Sequence, residues 1–348
     1  RIKGKFMRKK LLLVDASNQF HRAFYNPSGE LNAPDGFPTT GLHGFFQIIS
    51  SIEKKYEPDH ILLVFDKGKS FRSDIFPEYK GNRPKKSDDF KKQWAEIVPL
   101  CQALGYPCYK KDDGYEADDI IGALTVDFQD EMDVIIFSAD KDFAQLVNEN
   151  VYLLQPKVPA GYSYRDKANV EKKYGVSVSQ ILDLFTLIGD TADNIPGING
   201  VGQKTAQKYL TKYGTWRGVF ENASNIGGKR GAQIAESKEL LEQSNKLITI
   251  VTDIPHGLTI DNLSKTKPEK RRAYELCIRF GLKQMVKKLD LKAPNTIDYS
   301  KIKRCTELTD IQEILEQITD GMEIGVDIVF SKLSFMNRAP LVFSLAFK

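Results

Sequence analysis

The sequence predicts an α/β fold, a mostly parallel central sheet flanked by helices, followed by a helical subdomain. Two observations predict it. Continuous apolar runs at 11–14, 61–65, 134–137 and 151–154 have the length of buried strands, and helical patterns separate them. Beyond about residue 175 the strand signal stops and helical periodicity alone continues.

In chain order, Leu11 to Val14 forms the first strand and ends in Asp15. A helix is predicted over 41–55, and a second strand from Ile61 to Phe65 ends in Asp66. A basic segment leads into a helix over 88–104, and a further helix over 117–129 puts Ile120, Ile121, Leu124 and Phe128 on one face. Val134 to Phe137 and Val151 to Leu154 complete the strands. Helical stretches at 178–188, 203–213, 230–251 and 268–288 compose the second part. The domain boundaries read 7–174, 175–290, a linker at 291–300 containing Pro294, and a tail of 301–348. The tail carries a helix at 308–318 and strand-like runs at 323–330 and 341–347, too little for a complete domain. Residues 1–6 read as upstream sequence, with Met7 as the natural start.

Five short motifs gather nine carboxylates: Val14-Asp15, Val64-Phe65-Asp66, Gly114 to Asp119, Ser138 to Asp142, and Gly189 to Asn194. The ligand of a parallel sheet lies beyond the carboxyl ends of its strands, where Asp15, Asp66, Asp140 and Asp142 follow their runs. Taken one at a time, Glu116, Asp118 and Asp119 also read as acids favoured by a helix start, and Asp140, Asp142, Asp190 and Asp193 as caps. Together they read as one site. Two like charges about 4 Å apart repel by roughly 4 kcal/mol at an effective dielectric near 20, so converging acids require cations. All-oxygen donors suit Mg²⁺ or Mn²⁺ and argue against zinc.

The chain has 50 Lys and Arg against 46 Asp and Glu in 348 residues. Setting the nine motif acids aside leaves 50 against 37 on the remaining surface, a surplus that suits a polyanion. Four cysteines form no CxxC pair and four histidines stand far apart, so neither a zinc set nor a disulfide framework is signalled. No run of 18 apolar residues exists, so no membrane helix is expected.

Gly197 to Ala206 departs from a P-loop, because Gln203 separates the last glycine from Lys204. It fits a helix-hairpin-helix instead, in which the turn around Gly200 and Gly202 directs backbone N–H groups at a phosphate, with Lys204 and Thr205 beside it. Gly227 to Gly231, with Lys229 and Arg230, offers a second phosphate-facing turn. The segment 67–94 mixes Lys67, Lys69, Arg72, Lys80, Arg83, Lys85, Lys86, Lys91 and Lys92 with Phe71, Phe76, Tyr79, Phe90 and Trp94. Cations among aromatic faces suit single-stranded nucleic acid, although a solvated loop with core aromatics has the same composition. Arg22 and Phe24, close behind Asp15, are expected to add phosphate and stacking contacts on the same rim.

In order and spacing these motifs closely resemble the 5′ nuclease (flap endonuclease) domain at the amino end of bacterial DNA polymerase I. Leu13-Val14-Asp15, Val64-Phe65-Asp66, Ser70-Phe71-Arg72, Tyr79-Lys80 with Arg83, Gly114 to Asp119, Ala139 to Asp142, Gly189 to Pro196 and Gly200 to Ala206 carry the resemblance, over about residues 8–290. It implies a PIN-like core with a basic arch at 67–94. Divalent metals would be held by Asp15, Asp66, Glu116, Asp118, Asp119, Asp140, Asp142, Asp190 and Asp193. Lys80 and Arg83 would reach the scissile phosphate and, with Asp118 and Asp140, form the catalytic set. K⁺ would sit at the hairpin of 197–202.

The resemblance further implies 5′-3′ exonuclease and flap endonuclease activity on 5′ flaps, nicked or gapped duplex and RNA-DNA primers. That places a bacterial, cytoplasmic, nucleoid-associated monomer in replication and repair. The tail resembles the opening of a 3′-5′ exonuclease domain whose metal-binding Asp-x-Glu pair here reads Asp327-Ile328-Val329. No proofreading activity is expected from it, and the chain reads as a truncation of a longer polymerase. Two rivals stay open on sequence: a PIN-like ribonuclease, and a structure-specific DNA-binding module with vestigial acids.

Overall fold

The computed structural model describes residues 8–25, 29–110, 113–157 and 161–293, with Glu316 and the backbone of two strands near the carboxyl end. Its first part alternates strands and helices: β1 (Lys10–Asp15), α1 (Ala16–Phe24), α2 (Thr40–Tyr56), β2 (His60–Val64), α3 (Arg72–Ile75), α4 (Asp88–Ala103), β3 (Cys108–Tyr109), α5 (Ala117–Phe128), β4 (Asp133–Phe137), β5 (Val151–Pro156) and β6 (Tyr162–Arg165). Helices then follow: α6 (Lys167–Tyr174), α7 (Ile181–Ile188), α8 (Gln203–Tyr213), α9 (Trp216–Glu221), α10 (Ala223–Ile226), α11 (Gly228–Ala235), α12 (Lys238–Ile248), α13 (Lys270–Arg279) and α14 (Lys283–Lys288).

The sheet runs β3-β2-β1-β4-β5-β6, parallel except for β6, which pairs antiparallel with β5. The expected α/β class and mostly parallel sheet are therefore observed. Alternation along each strand sends side chains to opposite faces. Leu11, Leu13, Val134 and Ile136 pack with α5, α7 and α8 on one face; Leu12, Val14, Ile135 and Phe137 pack with α1, α2 and α4 on the other. Burial on both faces explains why the strands read as unbroken apolar runs.

Differences from expectation have local causes. The stretch 230–251 is two helices, broken at Glu236 and Ser237, and 268–288 is broken at Gly281, whose φ is +70°. The stretch expected as one helical subdomain, 175–290, divides between the faces of the sheet. From α7 to α12 it lies against the α5 face, whereas Ala273, Cys277, Phe280 and Met285 of the last two helices join the α2 and α4 core. His43 Nε2 sits 2.9 Å from the Phe280 carbonyl, fixing that crossing.

The chain divides into two compact units, Arg1–Pro294 and Asn295–Lys348. In the second, β7 (Ile324–Phe330) and β8 (Pro340–Phe347) pair antiparallel, with Asp327 opposite Ser344. The helix expected at 308–318, apart from Glu316, and most of the linker lie outside the described residues.

Candidate active site

The carboxyl ends of β1, β2 and β4 share one rim with the start of α5. Asp15 ends β1 and caps α1, accepting from the Asn18 N–H at 3.0 Å and the Ser138 hydroxyl at 2.7 Å. Ser138 Oγ in turn accepts from the Asp140 N–H at 3.0 Å, and Asp140 Oδ1 from the Asp142 N–H at 2.8 Å. One hydrogen-bonded chain thus runs from the β1 acid to the acids after β4. Asp66, just beyond β2, accepts from the Ala117 N–H at 2.9 Å and fixes the start of α5, on which Glu116 and Asp118 stand. The loop after α7, pinned by an antiparallel bridge between Asp190 and Ile195, brings in Asp190 and Asp193.

Burial and like charge together disfavour ionisation here. Asp15 is pushed from its ordinary 3.8 up to about 7 by burial and by Asp66 and Asp140, against its hydrogen bonds from Asn18 and Ser138. Burial and Asp140 raise Asp118 well above the carboxylate range, and burial and Asp140 do the same to Asp142. Asp140 is raised by burial and by Asp193 and Asp190. These mutual effects place the acids in one electrostatic neighbourhood.

Cations from the expected arch, together with Lys141, answer part of that charge. Lys80 Nζ donates to Glu116 Oε1 at 2.6 Å and lies 3.6 Å from Asp193; Arg83 reaches Asp193 Oδ1 at 2.5 Å, and Lys141 reaches Asp190 at 3.2 Å. Burial would lower the Lys80 amine, but Glu116, Asp193 and Asp118 outweigh it and hold it above its ordinary value. Lys80 has φ of +56°, a left-handed conformation costly for a residue with a Cβ, and its N–H donates to the Asp193 carbonyl at 2.9 Å. The strained turn aims the amine inward.

These oxygens fit a hard divalent cation in donor chemistry. Asp142 Oδ1 is a buried carboxylate oxygen with no hydrogen-bond partner, the kind of orphan a cation satisfies. The nine acids are not all held alike, however. Among the described residues no three Asp, Glu, His or Cys side chains form a ready-made coordination set. Glu116 and Asp193 are drawn to Lys80, Arg83 and Tyr79 instead.

Two further expectations change. Asp119, expected as a metal ligand, is 0% exposed and grips Arg72 with both oxygens at 2.7 Å. Arg72, expected on DNA, is 3% exposed and equally committed. The aromatic residues of 67–94 are mostly core: Phe90 is 1% exposed, Trp94 stacks on it, and the Tyr79 hydroxyl donates to Glu116 at 2.9 Å. Phe24 packs edge-on against Phe90, and Arg22, half-buried on α1, reaches Gln19 at 3.4 Å. Of the cations of the segment, Lys85, Lys86, Lys91 and Lys92 stay at the surface, whereas Arg72 is buried and Lys80 half-buried.

Sequence reasoning assigned no role to Ser138, Gln155 or Lys141. Gln155 on β5 donates to the Asp140 carbonyl at 3.2 Å and accepts from Arg165 at 2.7 Å, bracing the acid loop. A lysine between two motif acids was the one available signal; the others are set by tertiary contact.

The hairpin lies between α7 and α8. Gly202 caps α8 in extended conformation without a side chain, leaving first-turn N–H groups for an anion, with Lys204 exposed and Thr205 half-buried beside them. Gly200 takes φ of +71°, and Arg230 of α11 donates to the Asn199 carbonyl at 3.0 Å. The second glycine turn, with Lys229 exposed, therefore abuts the first. Arg230 already occupies one carbonyl of the turn expected to hold K⁺.

The family described as 5′-3′ exonuclease, N-terminal resolvase-like domain, matches residues 10–175, and 5′-3′ exonuclease, C-terminal SAM fold, matches 176–271. A 5′-3′ exonuclease of Aquifex aeolicus is 36% identical over 284 residues, covering 81% of this chain and 96% of that protein. DNA polymerase I of Caldicellulosiruptor bescii is 30% identical over 327 residues, covering 92% of this chain but only 38% of its own length. Among solved structures, T5 5′-exonuclease with bound zinc is similar at a TM-score of 0.59 and 25% identity, over 70% of this chain and 90% of that one. The catalytic core of Rad2 with a DNA substrate shares the fold at a TM-score of 0.54 and 18% identity, over 83% and 94%. With its fold, its rim of acids and its hairpin between α7 and α8 in place, the chain belongs to the 5′-3′ exonuclease family of hydrolytic nucleases.

Proposed function

We propose that this chain hydrolyses DNA at 5′ ends and 5′ flaps, including nicked or gapped duplex and RNA-DNA primers, with Mg²⁺ or Mn²⁺ at the sheet rim. The observation that carries this is the acid cluster: buried carboxylates raised by one another, with an orphaned Asp142 oxygen at its heart. Glu116, Asp118, Asp140 and Asp142 would hold the ions most directly, and Asp15, Asp66, Asp190 and Asp193 directly or through water. A divalent cation there supplies Lewis-acid activation of water and of the leaving 3′ oxygen.

The chain's own residues do the rest. Lys80 and Arg83, already beside Glu116 and Asp193, exchange those carboxylates for the phosphate and neutralise charge developing on it. Breaking the bond to the 3′ oxygen leaves a 5′ phosphate on the product. The α8 N-terminus, Lys204 and Lys229 hold backbone phosphates of the duplex, and the surface lysines of 67–94 guide the single strand. K⁺ at the hairpin would compete with Arg230 for the Asn199 carbonyl. In the cell the reading implies a monomer acting in bacterial replication and repair near the nucleoid, as the amino-terminal part of a DNA polymerase I. No described helix is long and apolar enough to cross a membrane.

Incubation with an end-labelled 5′-flapped duplex tests this. Mg²⁺-dependent release of the flap, leaving a 5′ phosphate, is expected. Uncleaved substrate with Mg²⁺ or Mn²⁺ despite binding would refute the hydrolase reading, and preferential cleavage of single-stranded RNA would replace it with a ribonuclease.

A further inference from the structure

Arg72 opens α3, and each of its five N–H groups has an acceptor. Nε donates to the Leu247 carbonyl at 2.8 Å; Nη1 donates to Asp119 Oδ2 at 2.7 Å and Glu116 Oε2 at 3.2 Å; Nη2 donates to Asp119 Oδ1 at 2.7 Å and the Thr249 carbonyl at 2.8 Å. A guanidinium has five donors, so none is left for a phosphate. Asp119 is as fully committed, because Oδ2 also accepts from the Glu116 N–H at 3.1 Å and Oδ1 from the Val251 N–H at 2.9 Å.

The carbonyls and the amide belong to a strap, residues 247–251, that closes α12. The same strap is pinned to the other acid-bearing segment: Gln145, just after Asp142, accepts from the Ile250 N–H at 3.2 Å and donates to the Ile248 carbonyl at 3.2 Å. It lies so close over α5 that a Cβ on Gly122 would meet Ile250 Cγ2 at 2.5 Å. One segment of the helical region therefore touches both the α5 acids and the segment of Asp140 and Asp142.

We propose that Arg72 and Asp119 are a positioning pair that sets the Glu116 carboxylate and makes the geometry of the rim acids depend on the seating of the 247–251 strap. The inference rests on the proposed nuclease reading. Neither residue touches metal or DNA. Glu116 Oε2 receives Arg72 and Tyr79 from one side, leaving Oε1 toward Lys80. A duplex that shifts α12 moves the strap and, through Arg72, the acid at the start of α5. A displacement of about 1 Å at such a site costs on the order of 100-fold in rate.

The test compares wild type with Arg72→Lys, Asp119→Asn and the double variant. It reads flap affinity in Ca²⁺ at several salt concentrations, single-turnover cleavage at saturating enzyme, and the Mg²⁺ concentration for half-maximal rate. Each single variant is expected to lose roughly 10- to 100-fold in rate and to need more Mg²⁺. Flap affinity and its salt slope stay unchanged, and the double variant is no worse than the poorer single, as for two members of one unit.

A flap affinity that drops with Arg72→Lys, with a salt slope lower by about one, would make Arg72 a DNA contact and overturn the proposal. A large effect of Asp119→Asn with none from Arg72→Lys would make Asp119 a direct ligand, and additive losses would likewise refute the pair. Unchanged rate and Mg²⁺ dependence with only a lower melting temperature would leave the pair structural and end the inference. If Arg72→Lys does not fold, Gly122→Ala, which displaces the strap without touching either charge, must give the same loss of rate at unchanged affinity, or the coupling fails. Failure of wild type to cleave would instead refute the nuclease reading itself.

Discussion

Replacing Asp118 by asparagine should separate the cost of the acid cluster from its use. In the folded protein Asp118 is raised by burial, by Asp140, by Asp15 and by Glu116, with only Lys80 opposing them. At a separation on the order of 6 Å and an effective dielectric near 20, each like-charge neighbour costs about 3 kcal/mol, and one cation offsets about one of them. After screening, Asp118→Asn is expected to stabilise the metal-free protein by roughly 1–3 kcal/mol, or about 2–8 °C in melting temperature. The pH dependence has a definite sign. A carboxyl raised on folding binds its proton more tightly in the native state, so metal-free stability is greatest below the unfolded value and falls as pH rises. For Asp15 that window runs from 3.8 to about 7, and Asp118 adds to the fall. Thermal melts in EDTA from pH 4 to 8 should show wild type losing stability across this range and the Asn variant losing less. Saturating Mg²⁺ should restore wild type by about 3 kcal/mol at 100 times its dissociation constant, restore the variant less, and leave the variant without cleavage. An Asn variant less stable than wild type in EDTA at pH 8, or one that still cleaves, would refute the reasoning.

Lys80→Ala should lower single-turnover cleavage about 100- to 1,000-fold at nearly constant flap affinity, measured by quench and by anisotropy, because its amine serves charge on the reacting phosphate. Lys204→Ala should weaken duplex binding and reduce the salt slope by about 0.9; an unchanged slope would take the hairpin off the DNA. Gly197→Ala would place a Cβ 2.2 Å from the Ile188 carbonyl carbon, so a loss of at least about 2 kcal/mol is expected by denaturant titration. Ser87→Ala removes the oxygen that accepts from the Phe90 N–H at the start of α4 and should cost about 1 kcal/mol in the same assay.

The sequence announced the parts of the molecule set by local pattern. Strands buried on both faces read as apolar runs, and the acids following them marked the rim because a parallel sheet has only one carboxyl edge. Helices α2, α4 and α5 fell within a residue or two of 41–55, 88–104 and 117–129, whereas α1 and the short α3 were not foreseen. The short edge strands β3 and β6 escaped notice, since two half-buried residues or an aromatic-rich stretch lack a buried strand's pattern. The pairing of Arg72 with Asp119 was hidden for a deeper reason: 47 residues apart, nothing in their neighbours reveals that they neutralise each other. Phe90 and Tyr79 likewise read as stacking faces because composition cannot distinguish a ring turned outward from one turned into the core.

The most direct test is Mn²⁺ binding followed by the loss of the free-ion electron paramagnetic resonance signal, without DNA and at pH 8. The wild-type chain should take up Mn²⁺ at the rim, with Asp118→Asn and Asp142→Asn each binding markedly less while remaining folded. Equal uptake by all three proteins, or none by wild type, would contradict a cation site built from these acids.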